Sequence, residues 1–228
     1  MQATTHPRVK ICCISSIEEA HTAISYGASA LGLVSSMPSG PGVIGEDLIT
    51  EIAATIPPGV ASFLLTSKQD ATSIIEQQRR TRVNTIQLCD TLETKQYHAL
   101  RDAMPGAALV QVVHVRGLES VDEARAVAPY VNGILLDSGN RSLAVKELGG
   151  TGRTHDWMVS RQIREAVDVP VFLAGGLNAG NVAGALEAVH PFALDLCNGV
   201  RTDGKLDEKK LAAFFYQVRQ WTARHERE

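Results

Sequence analysis

The stretch Arg8–Val34, RVKICCISSIEEAHTAISYGASALGLV, contains the unit from which the rest of the chain is built. Val9–Cys13 is a short apolar run that reads as a strand. From Ser16 to Tyr26 the apolar residues Ile17, Ala20, Ala23 and Ile24 recur at helical spacing. Ser16 is placed to cap that helix, Glu19 three residues on to complete a capping box, and Gly27 to end it. Ala30–Val34 then reads as a second strand. It is apolar throughout, as a parallel strand covered on both faces requires.

The same strand-then-helix unit recurs to the end of the chain. Predicted strands are Val60–Leu65, Thr85–Leu88, Leu109–Val113, Gly133–Leu136, Val171–Leu173 and Ala193–Leu196. Predicted helices lie near Asp47–Thr55, Asp70–Arg80, Glu93–Met104, Ser120–Ala128, Trp157–Ala166, Ala179–Val189 and Glu208–Trp221. Eight such units with no break in composition predict an α/β protein, a single (β/α)8 TIM barrel forming one domain over residues 1–228. No G-x-G-x-x-G run follows the first strand, which argues against a dinucleotide fold.

Composition narrows the function. Of 228 residues, 44% are hydrophobic and 21% charged, and the net charge is −3, so no basic field or K/R-rich run points to nucleic acid. No apolar run reaches the length of about 18 residues that crosses a membrane, and Met1–Pro7 lacks the apolar core of a signal peptide. The sequence therefore predicts a cytoplasmic protein, a monomer or homodimer, with Cys12, Cys13, Cys89 and Cys197 reduced. No C-x-x-C pair is present.

In a barrel of this kind the site lies at the C-terminal ends of the strands. Three features gather there. The turns at Gly175-Gly176 and Asn198-Gly199 follow the seventh and eighth strands, where glycine lets backbone N–H groups approach a phosphate; the alternative is that they only permit tight turns. Asp137 ends the apolar run Ile134-Leu135-Leu136 and is followed by Gly149-Gly150-Thr151-Gly152, so it is either a used carboxylate or a strand-end cap. Alternation places Lys10 and Cys12 on one face of the first strand, pointing into the barrel, and a nearby cation makes a thiol a usable base or nucleophile. Otherwise Cys12 is a small core residue. A zinc reading built on Cys13, Cys89, His114 and Cys197 lacks any ligand-spacing motif, so no metal is expected.

Lys10-Ile11-Cys12, Gly27–Val34, Leu135-Leu136-Asp137, Gly149–Trp157, Leu173–Asn178 and Asp195–Val200 together resemble the phosphoribosylanthranilate isomerase family, from about Val9 to Phe215. The resemblance implies a ribulose-phosphate-binding barrel of tryptophan biosynthesis that needs no cofactor. It implies an Amadori rearrangement of N-(5-phosphoribosyl)anthranilate, with Cys12 as general base and Asp137 as general acid. The substrate and its phosphate would meet Lys10, Gln87, His114, Gly150, Gly175, Gly176, Asp195, Asn198 and Gly199.

The chain departs from the family pattern at one end of this site. Cys13 stands where the family has glycine. Ser35–Gly42 holds no basic residue where the family carries an arginine for the anthranilate carboxylate, and Gln87-Leu88-Cys89-Asp90 replaces Gln-Leu-His-Gly. Arg116 or His114 would then meet the carboxylate. Two alternatives remain open: a paralogue acting on another phosphorylated sugar derivative, or a non-catalytic barrel that binds a phospho-ligand.

Overall fold

A computed structural model describes residues 6–139, 146–150 and 152–226. Thr151 of the Gly-Gly-Thr-Gly run and most of the N-terminal leader lie outside the described residues. Eight strands close into a parallel barrel in sequence order: β1 (Arg8–Ile11), β2 (Ala30–Val34), β3 (Ala61–Thr66), β4 (Thr85–Leu88), β5 (Ala108–His114), β6 (Gly133–Asp137), β7 (Val171–Leu173) and β8 (Ala193–Leu196). Each is followed by a helix: α1 (Ile17–Tyr26), α2 (Glu46–Thr55), α3 (Ala71–Thr81), α4 (Thr94–Ala103), α5 (Glu119–Val127), α6 (Trp157–Ala166), α7 (Val182–Val189) and α8 (Glu208–His225). None of the described helices is long and apolar enough to cross a membrane.

The period-2 alternation of the strands sorts the core into two shells. Val9 and Ile11, Leu31 and Leu33, Ile134 and Leu136, and Leu194 and Leu196 face outward into one large cluster with the helices. Ala30 and Val34, Phe63 and Leu65, Val110 and Val112, Leu135, Phe172 and Ala193 face inward and form a second, smaller cluster. Lys10 shares that inner face. It is fully buried, and its ammonium is 2.9 Å from Asp195 Oδ1, its register partner on β8.

Local chemistry explains where elements differ from the sequence reading. β1 stops at Ile11 rather than Cys13, because Cys13 adopts φ +63° and turns the chain out of the barrel. Cys12 N still donates to Leu196 O at 2.7 Å, so the base of the turn stays in the ladder. Helix α7 begins three residues late. Asparagines organise the preceding loop: Asn178 Oδ1 accepts from Gly180 N, and Asn181 Oδ1 accepts from Asn178 N. Ser16 caps α1 as expected, but Glu19 does not close the box. Its carboxylate turns to Ser15 N and Arg201 instead. An unforeseen hairpin, β9 (Arg201–Thr202) and β10 (Lys205–Leu206), turns at Asp203-Gly204, both with positive φ.

Gly32 makes the buried lysine possible. A Cβ there would sit 2.8 Å from Cys12 Sγ and 3.0 Å from Lys10 Nζ. Gly32→Ala is therefore expected to lower stability by about 1–3 kcal/mol, the cost of overpacking, measured as a fall in the urea midpoint with the m-value unchanged.

Candidate active site

Strand ends from around the barrel enclose a cavity of about 290 Å³ at its C-terminal mouth. Its wall includes Cys12, Gln87, Asp137, Gly150, Gly175, Gly176, Asp195, Asn198 and Gly199. All four cysteines also face it. Lys10 and His114 do not line it. Lys10 lies one layer below, where it lines a second hollow at the opposite mouth, so the Lys10–Asp195 pair is the floor between the two. His114 ends β5 in register with Asp137, and its buried ring packs where a Cβ on Gly139 would fall 2.5 Å away. Arg116 is exposed and does not line the cavity either. Of the two residues expected to face a carboxylate there, His114 packs beside Gly139 in the loop after Asp137 and Arg116 is exposed, so neither lines the cavity wall.

The two central groups are tuned in opposite directions. Cys12 is buried, and its pKa is lowered from the ordinary thiol value. The Cys13 thiol beside it and the Lys10 ammonium favour the thiolate, against burial and Asp195. Cys13 is correspondingly pushed up by its bonds to Cys12 and Cys197. Burial pushes Asp137 up to about 6, assisted by the negative charge of Asp195 and opposed by the Ser138 N–H that donates at 2.7 Å. Burial alone would lower the Lys10 pKa, but Asp195 and the Cys12 thiolate outweigh it and hold the ammonium charged.

Glycines let three loops meet over these groups. A Cβ on Gly149 would be 2.9 Å from Asp137 Oδ2, and one on Gly175 would be 3.4 Å from Asp137 Oδ1. On Gly176 it would strike the backbone of Arg153 and Thr154, and on Gly199 the Leu177 carbonyl oxygen. The turns after β7 and β8 therefore interlock backbone to backbone. The Asn198 side-chain amide donates to Gly150 O at 3.0 Å and holds the glycine loop across them. Gln87 Oε1 is buried with no hydrogen-bond partner among the described residues, which leaves an acceptor in the cavity wall.

Sequence reasoning missed two contributors. Lys146 pairs with Asp90 at 2.5 Å, and its carbonyl accepts from Ser39 Oγ of the cavity wall, so the β6 loop is fastened to the β4 and β2 loops beside the cavity. Arg201 is buried against the Cys12–Cys13 corner. Among the described residues no three His, Cys, Asp or Glu side chains converge in a way that could hold a metal ion.

The chain matches the family described as N-(5'phosphoribosyl)anthranilate isomerase over residues 9–217. It is 34% identical to N-(5'-phosphoribosyl)anthranilate isomerase from Methanocella arvoryzae over 213 residues, covering 93% of this chain and 98% of the relative. To the enzyme of the same name from Methanosarcina acetivorans it is 32% identical, covering 93% of each. Among solved structures it is similar to phosphoribosylanthranilate isomerase from Thermotoga maritima, with TM-score 0.78 and 27% identity over 94% of this chain and 99% of that one. It is also similar to a phosphoribosylanthranilate isomerase in complex with reduced 1-(o-carboxyphenylamino)-1-deoxyribulose 5-phosphate, with TM-score 0.76 and 26% identity over 94% of this chain and 99% of that one.

The four thiols are expected to separate by reactivity. Iodoacetamide should label Cys12 at a lower pH than an ordinary thiol, and should reach the half-buried Cys197 without denaturation. Cys13 and Cys89, the latter buried and pushed up to about 12, should label only after denaturation. Peptide mass mapping reads the outcome.

Proposed function

The chain belongs to the N-(5'-phosphoribosyl)anthranilate isomerase family, and we propose that Cys12 and Asp137 carry out its reaction as base and acid. The reaction is the Amadori rearrangement of N-(5'-phosphoribosyl)anthranilate to 1-(2-carboxyphenylamino)-1-deoxyribulose 5-phosphate, a step of tryptophan biosynthesis. We place it in the cytoplasm. The observation that carries the residue assignment is that Cys12 and Asp137 line one cavity above the Lys10–Asp195 pair; their surroundings favour the thiolate on the first and the protonated carboxyl on the second.

The proton inventory closes on these two groups. Protonated Asp137 gives its proton to the ribose ring oxygen as the C1–O bond breaks, and the aryl nitrogen lone pair forms the C1=N bond of the iminium. The Cys12 thiolate then removes the C2 proton. The C–H electrons form C1=C2, and the former iminium pair returns to nitrogen, giving the enolamine. In ketonisation C1 takes up a proton, which the Cys12 thiol can return, and the C2 hydroxyl loses one, which the Asp137 carboxylate can accept, so the isomerisation has no net gain or loss of atoms and both groups end as they began. An acid–base pair held in position contributes about 10²–10⁴-fold per group.

The substrate's two anionic ends divide between opposite walls. The interlocked turns at Gly175-Gly176 and Asn198-Gly199, beside β7 and β8, are where the phosphate fits this barrel type. The aryl carboxylate then lies toward the β4 side, where Lys146 neutralises Asp90 and removes a like-charge clash. Gln87 Oε1 is free to accept a substrate hydroxyl or N–H.

Turnover is followed as the loss of phosphoribosylanthranilate fluorescence. Cys12→Ser and Asp137→Asn are each expected to lower kcat by at least about 10² with KM little changed. A folded variant with full turnover removes that residue from the mechanism.

The pH profile follows from the signs. Asp137 must be protonated, so its contribution fades as pH rises past about 6; Cys12 must be a thiolate, so its contribution fades as pH falls below its lowered value. kcat/KM should therefore be bounded on both sides, with one limb near 6 that moves in Asp137→Glu and another, below the ordinary thiol value, that belongs to Cys12.

A further inference from the structure

We infer that Arg201 is a positioning residue for the thiolate, fastening the Cys12–Cys13 corner to the turn that follows β8; this rests on Cys12 being the base. Arg201 follows the short 3-10 turn Asn198–Val200 and is nearly fully buried. Its Nη2 donates to the carbonyl oxygens of Cys13 at 2.5 Å and Cys12 at 3.4 Å. Its fork grips Glu19 of α1, with Nη1 to Oε1 at 3.0 Å and Nη2 to Oε2 at 2.9 Å. Nη1 also donates to Gly204 O at 2.8 Å. Glu19 is itself fixed by the Leu206 and Ser15 backbone N–H groups, at 2.8 and 3.0 Å.

The corner needs such a support. Cys13 holds φ +63°, a left-handed conformation that costs a non-glycine residue about 1–2 kcal/mol, and it directs both carbonyls toward one point. A carbonyl buried there without a donor would turn to find one, and Cys12 Sγ would turn with its backbone. One planar guanidinium serves both carbonyls and the anchoring carboxylate in a fixed geometry that an ammonium does not reproduce. The same residue continues directly from Asn198-Gly199, where the phosphate is placed. Seating of the phosphate and aim of the thiolate thus share one rigid segment, and misplacement by about 1 Å is worth about 10²-fold in rate.

A structural salt bridge would also join Arg201 to Glu19, so the test must separate the two roles. Arg201→Lys in the full chain keeps the charge and loses the fork. We expect its melting temperature to stay close to that of the unaltered protein, kcat to fall at least tenfold, and KM to move less than about threefold. The pH midpoint for iodoacetamide labelling of Cys12 should rise. The exchange Glu19→Arg with Arg201→Glu restores an ion pair but puts a carboxylate, which cannot donate, against the two carbonyls. It should not recover kcat. A folded Arg201→Lys protein with unchanged kcat and unchanged Cys12 labelling overturns the inference, as does recovery of kcat by the exchange. If Arg201→Lys does not fold, Glu19→Gln takes its place: lower kcat at an unmoved melting temperature supports the role, and unmoved kcat overturns it. Labelling of Cys12 needs no substrate. If the unaltered protein fails to isomerise phosphoribosylanthranilate, the functional reading falls while the positioning claim is still decided.

Discussion

Everything in the upper barrel depends on one buried ion pair. Lys10 and Asp195 lie side by side in the inner shell, the ammonium fully buried and the carboxylate nearly so. Such a pair is a poor stabiliser compared with apolar packing, because desolvation offsets most of the attraction, but loss of either member leaves a bare buried charge at a cost of about 3–5 kcal/mol. Its merit lies in what it does to the groups above it. Lys10 stabilises the Cys12 thiolate, while Asp195 disfavours a second negative charge on Asp137. The Cys13 thiol and burial make the larger contributions, and the ion pair under the cavity floor adds to both shifts in the directions the chemistry needs. Gly32 is part of the same arrangement, since any side chain there would occupy the space of both Lys10 Nζ and Cys12 Sγ.

The second constraint is the corner at Cys13. A strand that ran on through Cys13, as its apolarity suggests, would carry the chain straight on beyond Cys12 instead of turning it out of the barrel. The left-handed residue ends β1 one position after the thiol, so Cys12 keeps its bond to Leu196 O while the chain leaves the barrel. Glycine reaches that conformation freely, whereas cysteine needs surroundings that over-determine it. Those surroundings are present. Its thiol faces the Pro41 carbonyl at 3.6 Å, its own carbonyl is held by Arg201, and Gly42 leaves the room that its side chain requires. The extra sulfur is not idle packing, because its proximity favours the thiolate form of Cys12.

What was legible in the chain was whatever depends on near neighbours. The strands Ala30–Val34, Thr85–Leu88, Val171–Leu173 and Ala193–Leu196 and the helix Trp157–Ala166 have the bounds their patterns predict. The inward aim of Lys10 and Cys12 followed from alternation and from the cost of a lysine against the helix layer. Illegible were features set by partners far along the chain. Glu19 has the spacing of a capping box, yet a guanidinium 182 positions away outcompetes the local N–H. His114 has the strand-end position of a ligand contact, but the loop after β6 folds over it. The Thr202-Asp203-Gly204-Lys205 turn did carry a hairpin signal, though flanked by strands of only two residues it was too short to register as sheet.

The acid is coupled to the closure of the loops around it. Asp137 has an ordinary carboxyl beside ordinary hydrogen-bond partners, and the Ser138 N–H alone would make it a stronger acid. Desolvation reverses this, and the desolvating surfaces are largely backbone: Gly149 crowds one carboxyl oxygen and Gly175 the other. Side chains at these glycines would hold the loops away and admit water. Asn198 of the β8 turn ties the first of these loops down through Gly150 O, and Gly199 packs the same turn against Leu177 of the second. An arrangement in which they stood apart would return Asp137 toward its solution pKa and shrink the protonated fraction that can give a proton. Packing of the loops against the carboxyl thus enlarges the population of the proton donor.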